Sequence, residues 1–185
     1  MIIFFQKISI LLLISFFILG KNNLSKAQNN IDLLNKAVEL LENGSYKEAE
    51  QVLTQLINKE PRNEQAYHLR AKARWEQQNY NGPNGALADF TKAIELNPQN
   101  PVLYLERGIA NYDLDDPTNA IRDFNSAIQK DPKLAKAWYM RGLAKLDLNN
   151  KEGCSDLKKA IELNIDVSEE RGLPDPHEVL AQKCK

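Results

Sequence analysis

The feature that most constrains the fold is a spacing of prolines and small residues that recurs along the chain. Pro61, Pro98 and Pro132 lie 37 and 34 residues apart. Upstream of each proline, a small residue is followed by a large apolar residue and then by another apolar residue, at spacings of four and three. These residues are Ala49, Leu53, Leu56; Ala86, Phe90, Ala93; and Ala120, Phe124, Ala127. A fourth copy carries Leu157 and Ala160, and we assign its small position to Cys154.

The spacing predicts pairs of packed helices. Residues three and four apart share one face of a helix, and the residue before a proline leaves helical geometry, so each proline marks a helix end. A further small residue recurs ahead of each set, at Ala37, Ala71, Gly108 and Gly142. It predicts a first helix that lies close against the second. Because one such pair cannot bury its apolar face alone, we expect four pairs to stack.

These residues resemble the motif of the tetratricopeptide repeat family, and the resemblance extends from about residue 30 to residue 164. Aromatic residues also stand at the family's early motif position, at Tyr67, Tyr104 and Trp138. The resemblance implies an all-α, right-handed α-solenoid of four helix-turn-helix repeats, at about 30–63, 64–100, 101–134 and 135–164. The second repeat departs from the pattern by a longer turn between its helices, and the fourth has Ile165 in place of the closing proline.

Residues 165–185 are expected to cover the end of the stack. Asp175 and Pro176 have the character of a helix cap and a first helical residue, so the sequence predicts a capping helix over 176–184. An end repeat needs such a cover to shield its apolar face.

The first 27 residues have a different composition from the rest. Residues 8–19 are almost wholly apolar, Gly20 follows, and Ser25 and Ala27 supply small residues for a signal peptidase. We interpret residues 1–27 as a secretory signal peptide, with an uncleaved N-terminal anchor in the inner membrane as the alternative. Cleavage would change the formal net charge from −1 to −4, because the segment holds three lysines and no acid. Such a mildly acidic chain is not expected to bind nucleic acid. It would be periplasmic or secreted.

The two cysteines are interpreted in the light of this export signal. In an oxidising compartment Cys154 and Cys184 could form a disulfide that ties the cap to the last repeat. The ending also resembles that of exported bacterial repeat proteins. The alternative is that Cys154 is a small buried residue and Cys184 a free terminal thiol.

The sequence offers no recognisable catalytic or metal-binding constellation. His68 and His177 are the only histidines, neither belongs to a spaced ligand or triad motif, and both are expected to be solvated. The Gly82–Gly85 stretch lacks the residues of a phosphate-binding loop. We therefore predict a protein that is not an enzyme and has no cofactor and no metal.

The resemblance places partner binding on the concave face, which the first helices of the repeats form in this family. The residues expected there are mostly apolar or aromatic, which suits a protein or peptide partner. They are Leu69, Lys72, Trp75, Leu105, Glu106, Ile109, Tyr112, Tyr139, Met140 and Leu143. The family's carboxylate-binding Lys and Asn set is missing, and Glu106 would repel a carboxylate. The leading interpretation is a scaffold or adaptor of the cell envelope. The alternatives are a self-associating assembly or maturation factor and a scaffold with an unrecognised ligand site.

Overall fold

The computed structural model describes residues 26–167 and 173–185 and contains nine helices in these ranges. The first, α1, includes residues 26–42. It therefore begins at least four residues before residue 30, where the sequence predicts the first repeat to begin. The others are α2 (Tyr46–Lys59), α3 (Glu64–Glu76), α4 (Ala86–Leu96), α5 (Pro101–Asp113), α6 (Pro117–Lys130), α7 (Ala135–Asp147), α8 (Gly153–Glu162) and α9 (Pro176–Lys183). The predicted signal segment lies almost entirely outside the described residues.

The helices form the predicted right-handed α-solenoid. Helices α1, α3, α5 and α7 are the first helices of the four repeats, and each packs against the second helix that follows it. The turns after the first helices share one backbone feature, a left-handed residue at Gly44, Gln78, Asp115 and Asn149. Its recurrence in all four turns shows that the repeats agree in backbone geometry as well as in sequence.

Small residues bring the paired helices together as the sequence predicts. Ala37, Ala71 and Ala120 are completely buried. At Gly108 a Cβ atom would lie 2.6 Å from the Phe124 ring, so α5 and α6 approach more closely than any side chain at Gly108 allows.

The small position of the fourth repeat was predicted wrongly, by one residue. Gly153, not Cys154, lies against the preceding helix, where a Cβ atom would be 2.4 Å from the carbonyl oxygen of Gly142. Gly153 stands four residues before Leu157, which is the spacing of the other three repeats. Cys154 is therefore free of that contact and forms a disulfide with Cys184, with a Cα–Cα distance of 5.8 Å.

The disulfide holds the predicted cap against the end of the stack. Helix α9 begins as expected, with the Asp175 carboxylate accepting hydrogen bonds from the backbone N–H groups of His177 and Glu178 and with Pro176 as first residue. Val179 is buried in the C-terminal core cluster. The Lys151 ammonium also donates to the Lys183 carbonyl oxygen.

A ladder of buried ion pairs joins the repeats, and the sequence interpretation did not include it. Arg70, Arg107 and Arg141 on the first helices each donate two hydrogen bonds to an aspartate on the paired second helix. The aspartates, Asp89, Asp123 and Asp156, are no more than 5% exposed. Each arginine donates a third bond to the second helix of the preceding repeat, at Thr54, Thr91 or Asn125. We call these six charged residues the Arg–Asp ladder.

Candidate functional site

Helices α3 and α5 lie side by side and are joined through Glu106. The His68 Nε2 and the Glu106 Oε2 are 2.5 Å apart, and the Lys72 ammonium is 3.8 Å from the other oxygen of the same carboxylate. Burial would raise the pKa of Glu106, but the hydrogen bond with His68 and the charges of His68, Lys72 and Lys136 outweigh burial and hold this pKa below its usual value. His68 is thus part of an interhelix contact, and the prediction that it is solvated was wrong.

A small pocket opens between these two helices. It has a volume of about 130 Å³ and is lined by Lys72, Trp75, Glu76, Phe90, Glu106, Ile109 and Ala110. A cavity of about 150 Å³ is enough to hold a benzene molecule, so this pocket has the size of one aliphatic or aromatic side chain. Its inner wall is apolar, because it is formed by the buried side chains of Phe90 and Ala110. We call it the Trp75 pocket.

The long turn of the second repeat supports one wall of the Trp75 pocket. Tyr80 packs its ring on that of Trp75, with 4.4 Å between ring centroids. The turn returns to the start of α4 through backbone bonds from Ala86 to the Asn79 oxygen and from Leu87 to the Tyr80 oxygen. Those bonds hold Tyr80 beside Trp75. The extra turn residues, which looked like a departure from the motif, therefore position an aromatic side chain at this site.

Four of the ten predicted contact residues, Lys72, Trp75, Glu106 and Ile109, line the Trp75 pocket. Two others are partly buried and engaged elsewhere. Leu69 packs against the core cluster of the first repeat. Tyr112 donates its hydroxyl hydrogen to Asp147 on α7. Burial, followed by this hydrogen bond and the charge of Asp147, raises the pKa of Tyr112 well above its usual value, so the phenol stays a neutral donor.

The remaining four predicted contact residues are inside the protein, and this corrects the expectation that they are available to a partner. Leu105, Tyr139, Met140 and Leu143 are at most 6% exposed. They belong to one core cluster with Leu173, Val179 and Leu180 of the C-terminal segment. The Tyr139 hydroxyl donates to the carbonyl oxygen of Pro174 at 2.5 Å. The C-terminal segment thus covers the face of α7 that the repeat pattern alone would leave open.

The sequence interpretation assigned no pocket role to Phe90 or Tyr80, although both lie at the site. Phe90 was assigned only to the packing of a helix pair, and the longer turn that holds Tyr80 was treated only as a departure from the repeat pattern. The signal that could have found Tyr80 is the longer turn itself, which brings an aromatic residue back beside the end of α3. Within residues 26–167 and 173–185, no group of three His, Cys, Asp or Glu side chains is placed to hold a metal ion. No helix in the same ranges is long and apolar enough to cross a membrane.

Comparison with known proteins agrees with this architecture. A crystal structure of MamA superposes with a TM-score of 0.68 at 21% sequence identity, over 74% of this chain and 78% of that one. MamA from Desulfovibrio magneticus RS-1, from residue 41 to its end, gives 0.66 at 18% identity, over 76% and 77%. The pilF protein of Pseudomonas aeruginosa gives 0.67 at 17% identity, over 76% of this chain and 63% of its own. At these identities the likeness concerns the fold.

No curated protein sequence matches the chain. A family model described as tetratricopeptide repeat does match it, over residues 34–101, 81–135 and 105–153. These segments overlap and together cover most of the four repeats described above. With this match, the recurring helix pairs and the similar solved structures, the chain belongs to the tetratricopeptide repeat family.

Proposed function

We propose that this protein is a non-enzymatic adaptor that binds a segment of another protein on the surface formed by α3 and α5. The observation that carries the proposal is the Trp75 pocket, an apolar recess of side-chain size bordered by three charged residues, Lys72, Glu76 and Glu106. Interfaces concentrate their binding energy in a few aromatic or apolar anchors that enter such recesses. Trp75 and Ile109 would contact the anchor, and Lys72 stands at the rim, where it is half exposed.

We further propose that the protein acts outside the cytoplasm, in the periplasm or as a secreted protein. Two features support this location. The Cys154–Cys184 disulfide is of the kind that persists in oxidising compartments, and residues 8–19 of the sequence have the apolar character of a signal peptide. If the N-terminal segment is retained, it would anchor the repeats to the membrane, and the protein would bind its partner at the membrane surface.

Site-specific photo-crosslinking in the native host tests the binding surface. A photoreactive residue would replace Lys72, at the pocket rim, or Lys92, which is similarly exposed on the second helix α4. We expect a discrete adduct with another protein from position 72 and none of the same mass from position 92. Trp75→Ala should remove the adduct while circular dichroism of the purified variant still shows the helical fold. Equal adducts from both positions, or an adduct that persists in the Trp75→Ala variant, would refute the proposal.

A further inference from the structure

The Trp75 pocket has an acidic border, and the acids repeat. The last residue of every first helix is acidic: Glu42 in α1, Glu76 in α3, Asp113 in α5 and Asp147 in α7. An acid at the carboxyl end of a helix is unfavourable, because the helix dipole places negative partial charge there and favours Lys or Arg. Four acids at one repeat position oppose this local preference, and such a conflict is typical of residues that serve a function.

The acid of the fourth repeat already has a basic partner from within the chain. The Lys183 ammonium of the cap helix is 3.2 Å from the Asp147 carboxylate. On the same helix, Val179 and Leu180 pack into the C-terminal core. At this end of the stack, a helix that carries apolar residues and a lysine thus meets one acid of the series. The contact illustrates which kind of segment suits this position.

Glu76, and Asp113 one helical turn after the lining residue Ile109, have no such partner. Neither Glu76 nor Asp113 forms an ion pair or hydrogen bond with any side chain in the ranges 26–167 and 173–185. Glu76 lines the pocket itself. The partial loss of solvent around Asp113 raises the pKa of its carboxyl group. Lys72, the basic residue of the rim, is near the carboxylate of Glu106, so the uncompensated charge of the border is negative.

We infer that the segment bound on this surface is basic as well as apolar: one aliphatic or aromatic side chain enters the Trp75 pocket, and Lys or Arg side chains pair with Glu76 and Asp113. This rests on the proposed function and specifies the partner. The side chains of His68 and Glu106 join α3 and α5. Helices whose side chains meet lie about 10 Å apart, and an extended chain advances about 3.3 Å per residue. Basic residues about three positions apart would therefore reach the acids of neighbouring repeats.

Three synthetic peptides test the inference with the full chain, disulfide intact. One places a leucine between two lysines that are three residues apart, in an uncharged background. The second has glutamines for the lysines, and the third has glutamates. Affinities would be measured by fluorescence anisotropy of labelled peptides. We expect the lysine peptide to bind most tightly and the glutamate peptide most weakly, with the difference reduced in 0.5 M salt, where a Debye length of only a few ångströms screens exposed charges (about 3 Å at 1 M).

Two double variants identify the residues that determine the preference for a basic peptide. Glu76→Gln with Asp113→Asn should lower the affinity for the lysine peptide about threefold to tenfold, the range expected for the loss of two exposed ion pairs. The same double variant should leave the affinity for the glutamine peptide unchanged. The matched control, Glu48→Gln with Glu95→Gln on the second helices α2 and α4, changes the net charge equally and should have less than a twofold effect.

The outcomes separate this inference from the proposed function. If all three peptides bind equally, if none binds, or if the two double variants behave alike, the charge preference is wrong. If Trp75→Ala abolishes binding of the glutamine peptide while charge has no effect, the pocket proposal stands and the inference fails. If sedimentation shows a dimer that Trp75→Ala dissociates, the surface is taken by a second copy of the chain, and the inference is overturned.

Discussion

The Arg–Asp ladder makes a quantitative prediction at Asp123. This carboxylate accepts two hydrogen bonds from Arg107, at 2.6 and 2.9 Å, and one from Asn111, at 3.2 Å. Asp123→Ala would remove both acceptor oxygens, and with them all three hydrogen bonds, and leave the Arg107 guanidinium without its counter-charge. Breaking one partner of a buried ion pair costs about 3–5 kcal/mol. Because the Arg107 side chain is 22% exposed and keeps its bond to Thr91, we expect a loss of about 3 kcal/mol, at the lower end.

The assay is urea unfolding of the full chain, followed by far-ultraviolet circular dichroism under non-reducing conditions. Three variants form a double-mutant cycle: Asp123→Ala, Arg107→Met and the double variant. Since the two side chains act as one pair, their single losses should not add, and the interaction energy should be about 1–3 kcal/mol. Asp123→Asn is the isosteric control. It keeps one oxygen acceptor, so it should cost less than Asp123→Ala.

Two results would contradict this reasoning. If Asp123→Ala costs less than 1 kcal/mol, water reaches the guanidinium, and the pair contributes no more to the free energy of unfolding than a surface ion pair does. If the effects of the single changes add, the two side chains do not depend on each other. A change in the slope against urea concentration would show instead that the repeats no longer unfold together.

Three further predictions concern local contacts. Gly108→Ala should lower the free energy of unfolding by about 1–3 kcal/mol, because the new Cβ would lie 2.6 Å from the Phe124 ring; a melting temperature equal to that of the native chain would show that Phe124 moves aside freely. Reduction of the Cys154–Cys184 disulfide should cost about 3–4 kcal/mol in urea unfolding, the value for closing a loop of about 30 residues, and an unchanged midpoint would mean that the cap contributes nothing to the measured transition. Gln78→Gly should stabilise the chain by up to about 1 kcal/mol in a thermal melt, since Gln78 has a left-handed backbone; destabilisation would show that loss of the Gln78 side chain outweighs the relieved strain.

The helix pairs could be predicted because their signals are local. Helix ends follow from residues such as Pro132 and Asp175, whose backbone and hydrogen-bonding preferences act within one turn. The assignment of Cys154 to the small position departed from the spacing of the other repeats, which places Gly153, four residues before Leu157, at that position. The approach of the Gly142 carbonyl oxygen to Gly153 shows that the spacing holds in the fourth repeat as well.

The proposed binding surface could be predicted only in part, for a different reason. The repeat pattern specifies which residues of a first helix share one face, and two of these residues, Trp75 and Ile109, line one pocket. It could not show that Tyr139 and Met140 are covered, because the covering segment lies outside the repeat and its path depends on the disulfide and on packing. Nor could it show that the longer turn returns Tyr80 to the Trp75 ring.

The sequence by itself determined the number of repeats, most of the places where helices begin and end, and most of the residues through which each pair packs, because these depend on side-chain size and on backbone preferences over a few residues. The tertiary structure alone decided which outward-facing residues remain accessible, how Glu106 is shared between His68 and Lys72, and which acids keep an unpaired charge. Those properties depend on neighbours that are distant in sequence, and both burial and electrostatic pairing are set by the distances at which these neighbours meet.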